Sequence, residues 1–168
     1  EIFSNTSGVD KLGMPSGWDV DKRGGSISSS ENVKTQIVDS SDKYSVSMTR
    51  EILAHKSGKI TFETAFKMEG KTETGYSYAL TGNGKNVFKI VTENDKLAIL
   101  STDGKTKQVA SYKPDEIVRI KAILDFDTKT YELVVGGKLI GKFPFAEDAT
   151  QLDRVTVSTS DAEKMQIW

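Results

Sequence analysis

Apolar residues recur at every second position through Val118, Ile120, Ala122 and Leu124, with Arg119 and Lys121 between them. That period of two is the mark of a strand with one face buried and one face wet. The next residues, Asp125 to Thr130, are rich in Asp and Thr, whose side chains bond nearby backbone amides and turn the chain back. Tyr131, Leu133 and Val135 form a second inward series. Gly136 and Gly137 then offer the two positive-φ positions of a tight hairpin, and 138–143 returns as a third strand. Pro144 lacks an amide donor, so it ends that strand or places it at an edge.

The same pattern recurs along the chain. Tyr44, Val46 and Met48 alternate with polar residues, as do Ile60, Phe62, Thr64 and Phe66. A hairpin is predicted over 76–80 and 87–91 around the turn residues Thr81 to Asn86, and another over 97–100 and 108–112 around Asp103-Gly104. Ile27, Val33, Ile37 and Val38 suggest short strands, residues 152–158 and 164–168 the closing ones, and Ile2-Phe3 a first one. The stretch before Trp18 reads as loop. No 12-residue window keeps a helical period, and at most one helical turn fits within 145–152. Strands at this spacing with this punctuation predict an all-β fold, a two-sheet antiparallel β-sandwich or a barrel.

Residues 1–168 read as one domain, long enough to bury roughly 70% of the surface its unfolded form exposes. With 23 basic and 24 acidic residues spread along the chain, there is no footprint for nucleic acid or an anionic membrane. No run of about 18 apolar residues predicts a membrane span. The absence of cysteine removes disulfides, thiolate metal sites and thiol nucleophiles together. The opening Glu1-Ile2-Phe3 suggests a domain excised from a longer protein.

Chemical motifs are few. His55 is the single histidine and reads as an exposed loop residue, since a general base needs a partner. Gly70 and Gly75 have phosphate-loop spacing, but Tyr76 replaces the lysine and a strand follows. Gly82-Asn83-Gly84 fails the dinucleotide pattern, with Val87 at the third glycine. Asp19, Asp21 and Gly24 start like a calcium loop, but Arg23 takes a ligand position and Ser30 stands where the bidentate Glu belongs. A solvated turn is the better reading there and at Asp125 and Asp127; a structural calcium elsewhere stays open. Glu63 and Glu132 can meet on neighbouring strands, yet no strand carries the alternating acids of a sandwich glycosidase.

If the apolar series lies inward, then Glu63, Arg119, Lys121 and Glu132 share an outward polar face suited to sugar hydroxyls, since planar Arg donors and carboxylate acceptors match vicinal diols. Tyr76, Tyr78 and Trp168 are expected in the core. Tyr112, before Lys113-Pro114, and Trp18, after Pro15-Ser16-Gly17, are the aromatic residues expected in loops, where a ring can stack on a pyranose.

Four segments together carry a resemblance: EIFSN at 1–5, MPSGW at 14–18, GKITFETAF at 58–66 and VRIKAILDFDTKTYELVVGGKLIG at 118–141. Over nearly its whole length the chain resembles the concanavalin-A-like or laminin-G-like jelly-roll superfamily. It is similar in particular to jelly-roll modules of secreted bacterial polysaccharide lyases and glycoside hydrolases. It departs from that pattern at Gly136, where an Asp often precedes the turn glycine, and at Ile117, where a Trp often stands. The resemblance implies a jelly-roll β-sandwich, secreted or on the cell surface. It implies a non-catalytic carbohydrate-binding module that holds the catalytic domain of its parent chain near a polysaccharide or oligosaccharide. A small jelly-roll lyase or hydrolase, and a structural or adhesion domain, are the alternatives.

Overall fold

The computed structural model describes residues 17–29, 35–70, 74–160 and 165–167. The expected strand at Ile2-Phe3, the loop character of residues 1–16, Val33 and Trp168 lie outside them. Fifteen strands and no helix are found among the described residues: β1 (Asp19–Asp21), β2 (Gly25–Ser29), β3 (Thr35–Asp39), β4 (Ser47–His55), β5 (Lys59–Phe66), β6 (Met68–Glu69), β7 (Thr74–Gly82), β8 (Lys85–Glu93), β9 (Lys96–Leu100), β10 (Thr106–Ser111), β11 (Val118–Asp125), β12 (Thr130–Val135), β13 (Lys138–Pro144), β14 (Leu152–Ser158) and β15 (Met165–Ile167).

One layer is a seven-stranded sheet in the order β1-β4-β14-β7-β8-β9-β10. The expected second layer is split into two four-stranded sheets, β13-β12-β11-β5 and β2-β3-β15-β6. They share one run of chain, since only Lys67 separates β5 from β6. All described pairings are antiparallel. The late strand β14 lies between β4 and β7 in the interior of the large sheet.

Side chains sort as the alternation predicts. Val118, Ile120, Ala122 and Leu124 are buried, as are Tyr131 and Leu133, while Arg119 is exposed. Tyr76, Tyr78 and Leu80 face them from β7, and Thr64 Oγ1 donates to Tyr78 Oη at 2.9 Å across the layers. Burial pushes the phenols of Tyr76 and Tyr78 above their ordinary value. Ile27, Ile37 and Met68 of the small sheet join the same core cluster. Pro144 closes an edge strand, where a missing amide costs no ladder bond.

The differences fall where local signals are weak. Tyr44 precedes β4 and is 53% exposed, although its parity with Val46 and Met48 suggests a strand residue. The strand starts only at Ser47, because Val46 is tied by its amide to Thr159 Oγ1 at 2.8 Å and by its carbonyl to Thr159 N at 2.9 Å. β1 and β6, with three and two residues, are too short to display a period. The turn foreseen over Thr81 to Asn86 narrows to Asn83 and Gly84, both at positive φ (51° and 76°).

Candidate functional site

The predicted polar face is assembled on the outer side of β5, β11 and β12. Lys121 pairs in register with Glu63, and their side chains form an ion pair at 2.7 Å. Glu132 lies opposite Ile123 and next to Lys142, and Arg119 opposite Ala65. This surface also carries Val134 and the exposed Leu139, which neighbour one another in register.

Both aromatic candidates lie outside strands, as expected, but neither is fully exposed. Tyr112 is 8% exposed, and its ring lies edge-on to Phe66 with centroids 6.1 Å apart, so it presents no face to solvent. The reason is local: its amide donates to Asp95 O at 3.2 Å, which draws the residue under the β8–β9 turn. Trp18 is half-buried against the core. His55 is likewise half-buried, edge-on to Phe126 with centroids 5.5 Å apart, and is not the exposed loop residue expected.

The calcium-like segment is satisfied from within. Arg23 Nε donates to Asp21 Oδ2 at 2.9 Å, and this side-chain hydrogen bond holds the Asp21 carboxyl below its ordinary range. Among the described residues, no group of three or more His, Asp or Glu is gathered to hold a metal.

A recess of about 310 Å³ opens instead at one end of the seven-stranded sheet, lined by Glu51, Ile52, Asn83, Gly84, Asp153 and Arg154. Its origin is a break in register. β14 pairs with β4 at Leu152↔His55 and at Arg154↔Glu51, so Ile52, Leu53 and Ala54 stand against Asp153 alone and β4 bulges. A bulge bends its strand and re-aims the side chains around it. Leu53, inside the bulge, is 88% exposed.

The opposite wall is the β7–β8 turn. Asn83 N donates to Asp153 Oδ2 at 3.0 Å, and Gln151 Nε2 donates both to Asp153 Oδ2 at 2.6 Å and to Asn83 Oδ1 at 3.0 Å. Gly82 is required here: a Cβ would lie 1.8 Å from Gln151 O, so only glycine lets the two segments approach this closely. Across the floor, Arg154 donates to Glu51 Oε1 at 2.9 Å, with both side chains still open to solvent.

The recess therefore presents carboxylate acceptors, guanidinium and amide donors and an aliphatic side chain, held by a hydrogen-bonded frame on strands. A pyranose displays the complementary set, hydroxyls that donate and accept around an apolar C–H surface. Sequence reading missed these residues because they come from three segments about 30 to 70 positions apart. The one local signal was the turn sequence around Gly82-Asn83-Gly84.

Comparison with solved structures gives the fold. A sialidase superposes with a TM-score of 0.76 at 11% identity over 90% of this chain, which spans only 16% of that protein. The carbohydrate recognition domain of Emp47p gives 0.64 at 14% identity, covering 95% of this chain and 91% of that one. The CBM66 carbohydrate-binding module of Bacillus subtilis gives 0.55 at 10% identity, covering 90% and 91%. No curated protein sequence matches the chain. At the level of sequence families, the model of the sialidase-like CBM domain matches residues 23–166, and the chain belongs to this family of carbohydrate-binding modules.

Proposed function

We propose that this module holds a parent enzyme on a polysaccharide outside the cell, gripping the glycan in the recess between the β4 bulge and the β7–β8 turn. The observation that carries the reading is the juxtaposition of Glu51, Asp153, Arg154 and Asn83 around one sugar-sized opening. Glu51, Asp153 and Asn83 meet sugar hydroxyls, Arg154 fixes Glu51, and Ile52 covers a C–H face. The contribution to catalysis is effective concentration: once the module is bound, the substrate is no longer sought through bulk solution.

A non-catalytic role fits the chemistry of the recess. Glu51 is paired with Arg154, and the Asn83 amide and Gln151 side chain orient Asp153, an arrangement that sets both acids as acceptors for sugar hydroxyls. The reading is tested by titrating the chain with soluble polysaccharides in a calorimeter, alongside two double variants. Glu51→Ala with Asp153→Ala is expected to abolish binding. Arg119→Ala with Glu132→Ala is expected to leave it intact, and the reverse result moves the site to the outer face of β5, β11 and β12. Release of reducing ends by the purified chain would refute the non-catalytic reading.

A further inference from the structure

The recess geometry points to a short, uncharged ligand: one or two rings of a neutral sugar, with acidic sugars such as uronates and sialic acids disfavoured. This inference rests on the reading of the recess as the glycan site and adds the class of sugar that it takes.

Charge is the first argument. The lining contains two carboxylates, Glu51 and Asp153, against one cation, Arg154, which leaves it a formal charge of −1. The cation is already matched, since Arg154 donates to Glu51 at 2.9 Å. Asp153 is held by neutral donors alone, the Asn83 amide and the Gln151 side chain. A carboxylate on an incoming sugar thus meets one unneutralised negative charge, and must detach Arg154 from Glu51 to find a cationic partner. A neutral hydroxyl pair donates to the same carboxylate oxygens without either cost.

Size is the second. At about 310 Å³ the recess stands at the lower end of the range for ligand pockets, roughly 300–1,000 Å³. Its lining bounds it on two sides, by Asn83-Gly84 of the β7–β8 turn and by Glu51-Ile52 at the start of the bulge. A polymer that crosses these two walls would need a groove that continues past them. A terminal or otherwise protruding unit needs none.

Calorimetry of the chain with four soluble probes tests this: cellobiose and mannobiose as neutral disaccharides, digalacturonate and sialyllactose as acidic ones. At least one neutral disaccharide is expected to bind about tenfold or more tighter than either acidic probe, the discrimination that one unneutralised charge near the protein surface supports. The charge-removing variants Glu51→Gln and Asp153→Asn distinguish this from a mere structural effect. Both weaken the neutral probe and strengthen the acidic ones, Glu51→Gln by releasing Arg154 and Asp153→Asn by removing the unneutralised charge. Glu51 is 74% exposed, so this variant leaves the fold intact even where Asp153→Asn does not.

Tighter binding of an acidic disaccharide, lost in Arg154→Ala, overturns the neutral-sugar inference and leaves the recess as the glycan site. Binding that ignores every recess variant and disappears in the Arg119→Ala, Glu132→Ala double variant overturns the recess reading and the inference with it. Affinity for long soluble polysaccharides with none for any disaccharide overturns the size argument.

Discussion

Two tightly constrained positions, Gly82 and Thr159, make no use of hydrophobicity. Gly82 admits Gln151 O where any Cβ would stand 1.8 Å away, so Gly82→Ala must separate the β7–β8 turn from the segment that enters β14. The expected cost is about 3 kcal/mol, a fall in melting temperature on the order of 10 °C. Glycan binding should weaken with it, because Gln151 also holds Asn83 and Asp153. Scanning calorimetry and titration check both effects. Thr159 is a second such position. Its hydroxyl accepts from Val46 N and donates to the buried Asp39 carboxylate, tying β3 to the residue that leads into β4. Thr159→Val leaves a buried amide and a buried carboxylate each short of a partner, for a loss of roughly 2–3 kcal/mol in urea unfolding, and Thr159→Ser restores most of it. Neither role was legible in the sequence. A glycine at a close approach looks like any turn glycine, and Thr159 sits in a polar Ser-Thr-Ser run that reads as loop. Arg119 and Lys121 were legible, because their neighbours Val118 and Ile120 fix their side of the sheet.

Among elements, legibility followed strand length. β11 and β12 are bounded by residues with one conformational meaning each, so the expected 118–124 and 131–135 differ from the observed strands by one residue. The three-residue β1 and two-residue β6 carry no period. The β4 bulge, which makes the recess, reads in sequence as Ile52-Leu53-Ala54 inside an otherwise regular strand, since a bulge is defined by the partner it opposes. The loop from Phe145 to Gln151 offers a pH test at this scale. Glu147 accepts from the Asn86 backbone and side-chain amides, both at 2.6 Å, and the backbone bond first and the side-chain bond second hold its carboxyl below the ordinary value of 4.5. Asp148 is held low in the same way, by its hydrogen bond with Lys129. A carboxyl whose folded value is depressed adds stability that is complete above the unfolded value and is lost as pH falls through the folded one. Glu147→Gln is therefore expected to melt below the unaltered chain at neutral pH. The gap should close as pH drops from the 4.5 range downward, and melting curves across pH 2 to 7 measure it. A gap that widens on acidification would mean that Glu147 acts otherwise than through its charge.

At the scale of the molecule, sandwich class followed from strand spacing, whereas the order of strands did not. Nothing in residues 152–158 announces that they insert between β4 and β7, about 100 and 75 positions earlier, because pairing partners are chosen by the whole sheet. That topology also determines how the module responds to its ligand. Residues of all three sheets meet in one core cluster, so no sheet has an interior of its own to keep when another opens. Unfolding is expected as a single cooperative transition. The recess walls belong to β4, β14 and the β7–β8 turn, three parts of the large sheet that must separate when that transition occurs. A sugar that binds there binds only the folded molecule, and so stabilises the whole of it. At a concentration of 100 times the dissociation constant the gain is about 2.7 kcal/mol. For a chain of this size that raises the melting temperature by roughly 5–10 °C. The expected calorimetric trace is one peak, moved upward by a neutral disaccharide and unmoved by it in Glu51→Ala with Asp153→Ala. Two peaks, of which the sugar moves only one, would show that the sheets fold separately and that the recess belongs to just one of them.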